Sequence, residues 1–228
     1  MSDAARSDGD AGDGDAGDGA PSQPSERTEA DRRRNRTLAY LRMWAVEADV
    51  SAVPVVESAN VGVPSIADIV GRAKSLCLVA LKGQGLTQHE VFAFADAYGV
   101  WDSLTVEEND FVLEPAPERP ELVQYAWKYE GLWVLEWALG AVRHLAFPDA
   151  PCDHAEAARR FIASIVLAEG PLIVRPMKEL LDAADVARCL DAVSLSLRAN
   201  PGEGAERHLH HGVVHERGSV FRWMVREV

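Results

Sequence analysis

The sequence predicts an all-α or nearly all-α fold: one multi-helix domain around a central tryptophan-rich helix, preceded by an acidic tail. Three observations predict it. Tyr125 to Gly140 reads YAWKYEGLWVLEWALG, which gathers three of the six tryptophans and sets Glu130 among apolar residues. Elsewhere apolar residues recur at helical spacing, and Thr-x-x-Glu capping boxes mark helix starts. No segment alternates apolar and polar residues as a half-buried strand would. The chain has 228 residues, 47% of them hydrophobic, enough for one domain with a real core.

Each element follows in chain order. Residues 1–30 alternate Asp, Gly and Ala before passing into PSQPSE; a segment without apolar surface to bury is expected to stay disordered. A calcium-loop reading fails, because counting from Asp8 puts Gly12 at the fifth and Gly19 at the twelfth position, where an EF-hand needs oxygen ligands. The domain is placed at 31–228. Arg32 to Val46 carries Leu38, Leu41 and Ala45 at helical spacing, and Pro54 makes VSAVPVVE an extended connector. Pro64 and Ser65 open a helix through Ala80, striped by Ile66, Ile69, Ala73, Leu76 and Ala80, with Gly83 ending it. Thr87-x-x-Glu90 and Thr105-x-x-Glu108 predict helices over 88–98 and 106–113.

The central helix is expected from Pro120 to Leu145, where FPDAP stops it. Asp153 caps a helix through Ala168; LIVR (172–175) is extended, and Pro176 begins a helical turn. Asp182 or Asp185 then starts a helix to Ala199. NPGEG is a loop, and Gly212 to Glu227 forms the last helix.

Charge and cysteine usage exclude several function classes. The net charge is −13, with −7 in residues 1–31 and −6 in the remainder. Neither part supplies the positive field that phosphate backbones need, so nucleic-acid binding is not expected. The chain does not open with a basic-then-apolar leader, and it contains no apolar run of about 18 residues. A cytoplasmic, non-membrane protein is the expectation. Cys77, Cys152 and Cys189 are odd in number, widely spaced and set among apolar residues, which suits a reducing compartment and buried thiols. No phosphate-binding, dinucleotide or nucleophile-elbow motif occurs, and none implies a cofactor.

The candidate site is a matched pair of misplaced charges. At about 100° per residue, Lys128, Glu136 and Arg143 fall on one side of the central helix. Glu130 falls on the other, among Trp127, Val134, Trp137 and Ala141. On the last helix, Arg217 sits among Val213, Val214, Val220, Phe221, Met224 and Val228. A buried carboxylate needs a partner, and guanidinium suits a desolvated pair. Glu130–Arg217 is therefore the expected structural ion pair, with Arg72 as a competing partner. The alternative makes Glu130 an acid or base in a pocket lined by Trp127, Trp133 and Trp137. His208, His210, His211 and His215 form an H-x-H-H-x3-H cluster with the spacing of metal ligands. It lacks a zinc hydrolase's glutamate, so solvated histidines are expected there and no metal.

YAWKYEGLWVLEWALG, FPDAPCD, RPMKELLDAADVAR and GVVHERGSVFRWMV, with VPSIADIVGRAKSLCLVA before them, resemble the DUF4272 family over residues 35–228. These are mainly bacterial proteins sharing a domain of unknown function. The chain departs from the pattern at Gly218, where the family usually has His, and at Arg222, where it usually has Asn. It also lacks an aromatic common in 187–191. Glu216 and Arg217 remain, which fits a structural role for that run. The resemblance implies a shared fold and supplies no reaction. The expected function is a non-catalytic, cytoplasmic protein-interaction module, whose protein partner and oligomeric state the sequence does not name. The alternative is a small-ligand binder or enzyme with the Trp-lined pocket around Glu130. A zinc protein using the His cluster ranks last.

Overall fold

The first four helices each begin at a capping box. A Thr or Ser hydroxyl accepts the backbone N–H three residues on, and the carboxylate there accepts the cap's own N–H. In the computed structural model, which describes residues 28–46, 49–167, 170–199 and 209–227, these are α1 (Glu29–Met43), α2 (Ile66–Gly83), α3 (Gln88–Tyr98) and α4 (Val106–Leu113). The caps are Thr28, Ser65, Thr87 and Thr105. In the first two the returning side chain is Asp31 or Asp68 rather than Glu. The acidic tail expected over 1–30 falls, as far as residue 27, outside the described residues.

The expected continuous central helix is two. α5 (Arg119–Ala126) and α6 (Lys128–Ala138) meet at Trp127. The break lets each half bury its own face. Tyr125 of α5 stacks on Phe111 at 3.8 Å, whereas α6 runs through the main core. α6 stops seven residues before Leu145, because Gly140 adopts φ 80° and the Ala141 N–H returns to the Glu136 carbonyl at 2.8 Å, a Schellman-type ending.

α7 (His154–Phe161) continues as a π-helical turn, Ile162–Val166. α8 (Met177–Ala199) is uninterrupted, so Asp182 and Asp185 are not its start. The Pro176 carbonyl accepts its first hydrogen bonds, from Glu179 and Leu180. Both aspartates instead accept arginines of α1: Arg36 reaches Asp182 at 2.6 Å and Arg34 reaches Asp185 at 2.8 Å. α9 (His211–Met224) ends three residues earlier than expected. The chain after it pairs antiparallel with an earlier segment, β2 (Arg226–Glu227) against β1 (Val61–Gly62). Two residues per strand are too short for an alternation pattern to show.

α2 and α6 cross through the largest apolar cluster, which includes Ile69, Leu76, Leu132, Leu135, Leu181 and Phe221. α9 packs on α6 and α8, and α1 packs against α8. α3, α4 and α5 pack on α2; Leu78, Val91, Phe111 and Val112 fill a further cluster there. Among the described residues, no helix is long and apolar enough to cross a membrane.

Candidate functional site

Glu130 lies in the first turn of α6, where Gly131 beside it allows close packing. A Cβ at Gly131 would stand 2.8 Å from Val220 of α9 and 3.1 Å from Leu76 of α2. Glu130 itself is 0% exposed. Its carboxylate is nonetheless satisfied: Oε2 accepts from Nε of Arg217 at 2.9 Å, and Oε1 accepts the Cys152 backbone N–H at 2.6 Å. Arg217, 6% exposed, also donates from Nη1 to the Ala146 carbonyl at 2.7 Å. The structure thus brings Glu130 and Arg217 together and ties the pair to the loop between α6 and α7. Arg72 stands elsewhere, with Nη1 on Glu108 at 2.6 Å.

Beside this pair Nζ of Lys128 reaches both oxygens of Glu216, at 3.0 and 2.9 Å. Two charge contacts therefore clip α6 to α9. Glu136 departs from its expected place on the charged side. It is 0% exposed, and neither carboxylate oxygen has a hydrogen-bond partner among the described residues. α7 covers that face. Burial pushes the Glu136 carboxyl up to about 8, with Arg160 drawing it down and Glu156 adding to the rise.

The three tryptophans do not form one pocket around Glu130. Trp127, at the α5–α6 break, lies 5.0 Å from the His210 ring. Trp133 lies under the Arg160 guanidinium at 4.7 Å. Trp137 meets Phe221 edge-on at 5.8 Å, with the Arg175 guanidinium 4.9 Å from its ring. Trp137 alone of the three lines a cavity of about 250 Å³, whose other walls include Leu145, Val186, Leu190, Val214 and Phe221. Glu130 does not line it, whereas Arg217, Tyr40 and His144 do. Burial raises the Tyr40 phenol, and the Arg217 charge opposes that shift. Tyr40 comes from α1 and His144 from the loop after α6. Nothing local in the sequence links them to Arg217, so sequence reasoning missed both. A larger, more polar groove of about 770 Å³ runs past Arg72, Lys128, Glu216 and Arg226.

Among the described residues, the histidines of the C-terminal cluster form no group that could hold a metal ion. His208 lies outside the described residues. His211 is occupied at both nitrogens, by Ser194 at 2.9 Å and Arg198 at 2.6 Å. Burial lowers its pKa, with Arg198 and His215 acting in the same direction. His215 is exposed and stacks on His211 at 6.1 Å, while His210 faces Trp127.

The model of a family described as "Domain of unknown function (DUF4272)" matches residues 33–228. No curated protein and no solved structure matches the chain.

Proposed function

The chain belongs to the DUF4272 family, and from there we propose that it binds a small molecule with an apolar body and one carboxylate. The cavity beside Arg217 carries this reading. Its walls are apolar, and its polar groups come from Tyr40, His144, Arg217 and backbone, which is the usual composition of a ligand site. Nε and Nη1 of Arg217 are committed to Glu130 and Ala146, while Nη2 has no hydrogen-bond partner among the described residues. A carboxylate is the group best matched to a guanidinium in an apolar wall. At about 250 Å³ the cavity is smaller than the roughly 300–1,000 Å³ of pockets for drug-sized ligands, so the ligand is small.

The protein-interaction reading has weaker support. Exposed large apolar residues such as Met43, Val106, Val123, Ile173 and Leu195 are spread over several elements and loops, and single exposed apolar residues are normal.

Thermal unfolding with 3-phenylpropionate, hexanoate and their amides tests the proposal. The acids should raise the midpoint with concentration while the amides do not. Ala183→Leu, which fills the cavity from α8, should remove the shift. No shift with either acid, or an equal shift in Ala183→Leu, overturns it.

A further inference from the structure

We infer that Glu130, Cys152 and His154 form a binding site for a divalent metal ion of the zinc type. A Glu130 carboxylate oxygen, the Cys152 sulfur and a ring nitrogen of His154 all lie within 4.8 Å of one another. These are the oxygen, sulfur and imidazole donors that zinc accepts together. In a tetrahedral zinc site the ligand atoms stand about 3.3–3.8 Å apart, from bond lengths of about 2.0–2.3 Å. The cluster therefore needs to tighten by roughly an ångström.

The local chain explains the convergence. Asp153 is extended at φ −71°, ψ 104° and caps α7. An extended residue between them turns Cys152 and His154 to the same side, and Glu130 meets them from α6. The surroundings already hold the donors. Arg217 and the Cys152 N–H fix the Glu130 carboxylate. The Tyr129 ring stacks nearly parallel on the His154 ring at 4.9 Å, and the Gln84 amide sits 2.8 Å from His154 Nδ1. Such outer contacts orient metal ligands. The independent sign of a missing partner is His154 Nε2, which is buried without a hydrogen bond among the described residues; with the Gln84 amide turned so that its oxygen accepts from Nδ1–H, Nε2 is free to bind a metal ion as that partner.

On binding, the Cys152 thiol releases its proton to solvent, His154 coordinates as neutral imidazole, and Glu130 coordinates through the carboxylate that Arg217 holds. The thiolate and the carboxylate bring two negative charges to the ion, the carboxylate being shared with Arg217. Cys152 and His154 are partly exposed, which gives the ion a way in.

The test uses chelator-stripped full-length protein titrated with zinc and, separately, cobalt. One equivalent should bind, cobalt should produce a thiolate-to-metal charge-transfer absorption, and zinc should slow alkylation of Cys152 by N-ethylmaleimide. Cys152→Ser should abolish the absorption. Gln84→Ala, which removes a contact to the His154 ring but no donor atom, should weaken zinc binding about 10–100-fold. The alkylation readout needs no variant, so a misfolded mutant does not leave the proposal undecided. Substoichiometric zinc, alkylation unchanged by zinc, or binding retained in Cys152→Ser but lost in His211→Ala overturns it.

Discussion

Arg217 occupies a position where losing one partner is worse than losing both. Removing one member of a buried ion pair leaves an uncompensated charge, at about 3–5 kcal/mol. Arg217→Met is expected to destabilise by that order in denaturant melts. Glu130→Gln/Arg217→Met should recover part of the loss; additive losses would show that the two do not act as a pair. Glu136 makes the opposite case, a buried carboxylate with no hydrogen-bond partner among the described residues. Its folded pKa of about 8 stands above the ordinary 4.5, so between those values the folded chain keeps a proton that the unfolded chain has lost. Stability therefore falls as pH rises through that window, and the whole penalty is present above about pH 8. At about 1.4 kcal/mol per pKa unit, it amounts to several kcal/mol. Wild type and Glu136→Gln should be similar near pH 4 and diverge towards pH 9, with the variant more stable; parallel stability curves would contradict this. Glu130 and Arg217 stood out in the sequence because each interrupts an apolar face. Glu136 did not, because helical periodicity reports a residue's angle and says nothing about α7 covering that angle from another part of the chain.

At the scale of elements, helix starts were more legible than helix breaks. A capping hydroxyl and its returning carboxylate lie three residues apart, so the signal is wholly local. Thr87 and Thr105 were readable in this way, and replacing Thr87 by Ala should cost about 1 kcal/mol, measurable by thermal melts. The break at Trp127 depends on contacts far away in sequence, between α5 and the end of α2. Gly83 shows how tight that contact is. A Cβ there would lie 2.5 Å from the Ala126 backbone nitrogen and 2.7 Å from the Leu122 carbonyl oxygen. Backbone cannot yield as a flexible side chain can, so Gly83→Ala must push α5 away from α2. Overpacking of this kind typically costs about 1–3 kcal/mol, although alanine favours helix over glycine. A denaturant melt showing Gly83→Ala at or above wild-type stability would contradict the close approach. The two-residue strands and the early end of α9 were equally hidden, since pairing between Val61 and Glu227 joins opposite ends of the domain.

Across the whole molecule, attachment strength differs from element to element. α2, α6 and α9 share the largest apolar cluster, whereas α1 meets α8 through a smaller one, Leu41 with Cys189, Leu190 and Val193, and through a set of polar side chains. Arg34 donates to both oxygens of Asp185, at 3.2 and 2.8 Å, and Thr37 adds its hydroxyl at 2.6 Å. Arg36 bridges Asp182 and Glu29, and buried Arg33 donates to the Val56 carbonyl. α1 itself buries Ala30, Thr37 and Leu41 beside Arg33, and the apolar cluster it joins is smaller than the one around α2 and α6. Local opening free energies follow buried apolar contact, and ion pairs near the surface weaken with salt. α1 should therefore open before the central helices. Amide hydrogen exchange over Glu29–Met43 is expected to outpace that of α2 and α6 and to quicken as salt rises. Asp185→Asn, which weakens the two-pronged Arg34 contact while keeping a hydrogen-bond acceptor for Thr37, should speed exchange in α1 and leave α6 unchanged. Because Tyr40 reaches the cavity from α1, a carboxylate bound beside Arg217 should slow that same exchange. If exchange in α1 matched that of α6 and ignored both salt and Asp185→Asn, the helix would be an integral part of the core.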